Sequence, residues 1–179
     1  MSGTVYVDGA GSGRETIYGA WSVIVTRPGT GDAVLDIVHA ETGALLGASN
    51  QAAELTAAIM GLRWMLANGA SCEMVSDSAY VVNGLNERWY ERWERNGWRA
   101  SKGGDVANRE LWETLIGLWR ALGGPTRRIK ARHVRGHGRG NDAPVDVAGN
   151  HVADRAADGA AALAMEIDAE AGVTGEGAV

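Results

Sequence analysis

The 179-residue chain contains no phenylalanine, only three prolines and one cysteine, Cys72. A single cysteine excludes an intramolecular disulfide and fits a reducing compartment. Cys72, just before a strand-like segment, reads as a packed small residue. No apolar run approaches the ~20 residues that a membrane-spanning helix needs. No basic-then-apolar leader opens the sequence, so the expectation is a cytoplasmic protein with no membrane partner. Hydrophobic residues at 45% and charged residues at 22% sit near globular averages, which excludes global disorder. The length suits one domain with a real core, here expected as a monomer. The aromatic content rests instead on seven tryptophans.

The net charge of −5 argues at face value against a nucleic-acid partner, but it is unevenly spread. Residues 1–83 balance at −5, residues 84–139 at +7, and residues 140–179 at −7. A basic block between acidic flanks is the footprint of a polyanion ligand. For residues 88–99 a solvated helix face with internal pairs is an alternative, because Glu87, Glu91 and Glu94 interleave with the arginines. Residues 127–139 contain no acid at all.

Periodicity predicts strands over residues 4–8, 17–26 and 33–40, an antiparallel meander with short links. Leu55, Ile59, Leu62 and Leu66 then recur at helical spacing, with Ser49 or Asn50 as cap and Asn68-Gly69 as stop. A fourth strand over 73–77 is followed by a helix to about 87, a Trp- and Arg-rich arm over about 86–102, and a helix over 109–122. A fifth strand is expected over 128–134 and a Gly-rich loop over 136–149. Asn150 is expected to cap a last helix ending near 167. The fold class predicted is α/β, a five-stranded mixed sheet flanked by helices in one domain over residues 1–167. Residues 168–179 read as an acidic, fraying tail.

Two acids fall at expected strand ends, Asp8 and Asp77, and two near helix starts, Glu54 and Asp154. Singly, each has a bland role in a turn, a cap or a helix dipole. Together at one sheet edge they would repel, and a hard divalent cation would hold them. A pair of such ions supports phosphodiester hydrolysis.

These positions lie in ordered blocks: Tyr6-Val7-Asp8-Gly9, Tyr18-Gly19-Ala20, Asn50-Gln51-Ala52-Ala53-Glu54-Leu55, Ser76-Asp77-Ser78-Ala79-Tyr80-Val81, Asn108-Arg109-Glu110-Leu111-Trp112, Val134-Arg135-Gly136-His137 and Gly149-Asn150-His151-Val152-Ala153-Asp154-Arg155. With them the chain resembles type 1 ribonuclease H from about residue 4 to 162, adopting the RNase H-like fold. The resemblance implies endonucleolytic cutting of the RNA strand of RNA–DNA hybrids by two Mg²⁺ ions, with Mn²⁺ as a substitute. The ends left are 5′-phosphate and 3′-hydroxyl. It makes Asp8 the bridging ligand. Glu54 and Asp77 become ligands near the leaving oxygen, and Asp154 the ligand on the water side. His137, in a glycine loop, becomes the group aiding proton transfer or product release.

The same resemblance places Gly9 and Gly11 under the hybrid backbone and makes Asn50, Gln51 and Asn108 groove readers. It makes Trp89, Trp93 and Trp98 an aromatic wall, with Arg92 and Arg95 on phosphates. A satellite core is the other reading of those tryptophans. The stretch from His137 to Asp154 is several residues longer than in compact members. Its Asp142 and Asp146 read as solvated loop residues or as additions to the metal edge. A non-catalytic hybrid-binding module and a DNA-cutting nuclease on the same scaffold are the rival functions.

Overall fold

The computed structural model describes residues 3–12, 18–29, 35–126, 128–135 and 143–175. Five strands form one sheet in the order β3-β2-β1-β4-β5. The strands β1 (Thr4–Ser12), β2 (Tyr18–Pro28) and β3 (Leu35–Leu46) form the antiparallel part. The shorter β4 (Glu73–Ser76) and β5 (Lys130–His133) pair in parallel beside β1. The mixed five-stranded sheet expected from the sequence is the sheet found.

One face carries α1 (Asn50–Ala67), α2 (Ala79–Asn86), α3 (Trp89–Arg95) and α4 (Arg109–Ala121). Val5, Val7, Leu55, Leu62, Met65 and Met74 join helix residues in the main core. The absent phenylalanines are replaced there by tryptophan. Trp112 is fully buried, and its ring meets Trp93 edge-on at 5.2 Å. Its indole nitrogen donates to Tyr80 Oη at 2.7 Å. Such a cluster contributes both apolar area and ring–ring geometry.

The opposite face carries one long helix, α5 (Pro144–Gly175), over Tyr6, Ile24, Val75 and Val134. The helix starts six residues before Asn150 and continues past Asp168. Asn150 is therefore a buried residue inside the helix rather than its cap. Pro144 explains the early start, because its fixed φ and missing N–H suit a first helical position. Alanine-rich turns carry the helix onward, so α5 runs through Gly175, past the end near 167 expected from the sequence. Among the described residues, no helix is long and apolar enough to cross a membrane.

Candidate active site

Register, not strand ends, brings the acids together. The last parallel pair between β1 and β4 is Tyr6 with Val75. Two residues further on each chain lie Asp8 and Asp77, level with one another. Asp8 is not at the end of its strand, as the sequence led one to expect. Its strand runs on to Ser12 against β2, while β4 has stopped at Ser76. The missing neighbour strand leaves the gap into which Asp77 turns.

Glu54 comes from α1, which Ser49 caps by accepting the Ala52 N–H at 3.2 Å. It is the fifth helix residue, beyond the first turn. Gly9 lets it approach: a Cβ there would lie 2.2 Å from the Glu54 backbone nitrogen. The Gly9 N–H also donates to the Glu54 carboxylate. Gly9 is thus buried packing between β1 and α1, a role the sequence reading did not give it.

Asp8, Glu54 and Asp77 each offer a carboxylate oxygen within 4.8 Å of the other two. Asp154, half-buried in the third turn of α5, stands outside that set, but its charge still bears on Asp8. Burial first, then the charges of Glu54 and Asp77, push the Asp8 carboxyl up to about 9. Burial and the Asp77 charge push Glu54 up to about 8. Glu54 Oε2 is buried with no hydrogen-bond partner. Mutual repulsion and an orphaned buried oxygen are what a hard cation with oxygen ligands would relieve. The donor set fits such an ion.

Around the acids, Asn50 and Gln51 are exposed at the start of α1, with Asn50 one turn from Glu54 on the same side. Because Ser49 is the cap, the Asn50 amide makes no hydrogen bond among the described residues. Gly11 is exposed beside it. Asn108 has left-handed backbone (φ 56°) and leaves its side chain uncommitted at the start of α4. His137 and Asp142 lie outside the described residues.

The arm is corrected in two respects. Trp93 and Trp98 are each only 6% exposed and belong to the main core, so the expected aromatic wall is reduced to half-buried Trp89. The interleaved glutamates leave Arg92 and Arg95 unpaired among the described residues, while one internal pair of the expected kind, Arg88 with Glu91, does form. Glu94 binds Arg120 through two bonds of 2.8 and 2.7 Å, Glu91 binds Arg88, and Glu87 accepts from the Trp89 indole. Arg92, Arg95 and Lys102 carry no ion pair among the described residues and are exposed.

Asp146 is neither a solvated loop residue nor a metal-edge acid. It is 7% exposed in the first turn of α5 and ion-paired with Arg132. The sequence carried a signal for it: Pro at a helix start followed by an acid in the first turn. An apolar groove of about 680 Å³ between β3 and the far half of α5 holds none of the four acids.

The RNase H family profile matches residues 1–162, the span that holds all of these acids. The chain belongs to the RNase H family. A ribonuclease H of Syntrophomonas wolfei is 37% identical over 133 residues, covering 74% of this chain and 82% of the relative. One from Moorella thermoacetica is 39% identical over 113 residues, covering 63% and 68%. Among solved structures, the PFV RNase H domain superposes with a TM-score of 0.72 at 19% identity, covering 90% of this chain and 94% of that one. A foamy viral protease-reverse transcriptase in complex with RNA/DNA hybrid gives 0.70 at 19%, over 89% of this chain and 20% of that one. At these identities the structural likeness speaks for the RNase H fold, and the sequence relatives carry the family.

Proposed function

We propose that this RNase H cleaves the RNA strand of RNA–DNA hybrids endonucleolytically, with two Mg²⁺ ions at the carboxylate cluster. The observation that carries this reading is the Asp8–Glu54–Asp77 set within 4.8 Å, with Asp154 beside it. Magnesium bound there supplies charge stabilisation for the leaving oxygen and activation of the attacking water, leaving 5′-phosphate and 3′-hydroxyl ends. Asp8, central and most buried of the four, is suited to bridge the two ions. Glu54 comes from α1, Asp77 from just beyond β4 and Asp154 from α5. His137 is assigned proton transfer or product release, as the family resemblance implies.

The chain's remaining residues orient the hybrid. Asn50, Gln51 and Asn108 offer amide donors and acceptors to the minor groove, where a 2′-OH distinguishes RNA from DNA. Gly11 leaves room for the backbone at Asn50. Arg92, Arg95 and the open edge of Trp89 meet the DNA strand.

The deciding assay compares matched hybrid, duplex RNA and duplex DNA in Mg²⁺, Mn²⁺ and EDTA. Hybrid cleavage alone, lost in EDTA and in Asp77→Asn with its fold intact, is the expected result. Duplex DNA cleavage without hybrid cleavage, or an Asp77→Asn variant keeping most of its rate, refutes the proposal. The arm gives a separate expectation. Removing Arg92 or Arg95 should raise KM with kcat kept, and lower the log–log salt slope of hybrid binding by about 1 per arginine. An unchanged slope would remove both from the phosphate contacts.

A further inference from the structure

A polar cluster outside the carboxylate site joins three strands to the start of α5. Arg132 on β5 holds both Asp146 oxygens, at 2.7 Å each. Its third nitrogen donates to Glu73 on β4 at 2.8 Å. Tyr6 on β1 donates its hydroxyl toward Asp146 at 3.2 Å. The bidentate fork is the strong form of this interaction. The contact beneath it is tight as well: a Cβ on Gly149 would fall 2.2 Å from a Tyr6 ring carbon.

This cluster is one step away from the acids on both elements that carry it. Tyr6 and Asp8 are two residues apart on β1, so they share a face. Asp146 and Asp154 are eight residues apart on α5, about 12 Å along the helix. Opposite Asp8 in the β1–β2 register, Ser22 donates its hydroxyl to the Ala153 carbonyl at 2.7 Å, next to Asp154. The Arg132–Asp146 pair, the Ser22–Ala153 hydrogen bond and the packing of Ala157 and Ala161 on Ala10 and Ala20 together hold α5 on the sheet, and the Arg132–Asp146 pair is the charged contact among them. The same pair ties together residues on either side of the long segment that contains His137.

We propose that Arg132 and Asp146 are positioning residues: their half-buried ion pair, flanked by Tyr6 and Glu73, fixes α5 against β1 and β5 and so helps set the distance from Asp154 to Asp8 for metal binding. A longer crossover between β5 and α5 closes at greater entropic cost, and a directional pair at its two ends offsets that loss of registration. The inference rests on the hydrolase reading above, but metal affinity tests it without any turnover.

The experiment uses the full chain. Mn²⁺ binding is followed by titration calorimetry, hybrid cleavage by steady-state rates, and folding by circular dichroism, all well below the melting temperature. Asp146→Asn should weaken Mn²⁺ about 10-fold and lower kcat by about 10- to 100-fold, with KM for hybrid kept. The double variant Arg132→Met with Asp146→Leu replaces the pair by apolar groups, which commonly restores stability. It should regain melting temperature while Mn²⁺ affinity and kcat stay low. Recovery of all three would make the pair a stability element only and overturn the proposal. So would a folded Asp146→Asn with wild-type Mn²⁺ affinity. If Asp146→Asn does not fold, the double variant decides alone. A wild-type protein that binds Mn²⁺ but leaves hybrids uncut sinks the hydrolase reading, and the affinity comparison still judges the pair.

Discussion

Asp8→Asn is expected to abolish hybrid cleavage, by about 1000-fold or more, and at the same time to raise the melting temperature of the metal-free protein at pH 8. The loss follows from Asp8's place between Glu54, Asp77 and Asp154. On the proposed reading, loss of its charge would remove the bridging position, and with it the several kcal/mol of transition-state stabilisation that two bound metal ions would supply. The stability gain follows because at pH 8 folding must put a proton on Asp8 that the unfolded chain does not hold. Asparagine keeps the shape, is neutral in both states and avoids that cost.

The pH dependence has a definite sign. The folded chain holds protons on Asp8 and Glu54 up to about 9 and about 8, against ordinary values of 3.8 and 4.5. The native state therefore binds more protons than the unfolded chain across that interval, and stability falls as pH rises through it. Protonation supports the fold fully below about pH 4, and that support is lost as pH passes about 9. Magnesium bound as proposed would replace the protons, so its stabilising effect should be large at pH 8 and small at pH 5. Melting curves in EDTA and in Mg²⁺ across pH 5–9 check this. A metal-free melting temperature that is flat with pH, or an Asp8→Asn protein that melts lower at pH 8, contradicts the account. Activity should rise with pH over the same range, because the ligands must lose their protons to bind metal.

Asp8, Glu54, Asp77 and Asp154 each had an ordinary local reading, and they were legible as a set through the ordered blocks that resemble type 1 ribonuclease H. Their meeting depends on register, which no single block contains. Asp8 lies mid-strand because β2 stays with β1 after β4 has ended, a fact of neighbours and not of the Asp8 segment. Nonlocal partners also decided what sequence left open on the arm. Glu94 is 26 residues from Arg120, so the arm's charge balance could be read but not which arginines were already engaged. Trp93 and Trp98 occupy the aromatic core space that a phenylalanine-free chain must fill some other way. Asp146 looked like a loop acid because Arg132 reaches it across an intervening segment of no regular pattern. Burial of a charge is invisible until its partner is placed.

Gly9→Ala is the strongest test of why a glycine follows the central aspartate. A methyl group there would lie 2.2 Å from the Glu54 nitrogen and 2.4 Å from the Ala53 carbonyl carbon. Both are backbone atoms within α1, so no side chain can swing aside. The helix must instead lift from β1, at a cost of about 3 kcal/mol, the upper end of ordinary overpacking. In a domain of this size that is roughly 10 °C of melting temperature. Glu54 would move with its helix, and Mn²⁺ affinity should fall in whatever fraction remains folded. Gly11→Ala is the matched comparison, since a methyl there meets Asn50 at an ordinary 3.6 Å in an exposed position. It should melt with the wild type and raise KM for hybrid, because only the approach of the substrate backbone is obstructed. Equal melting temperatures for Gly9→Ala and Gly11→Ala would show that α1 does not rest on β1 at Gly9, and the placement of Glu54 among the acids would lose its physical basis.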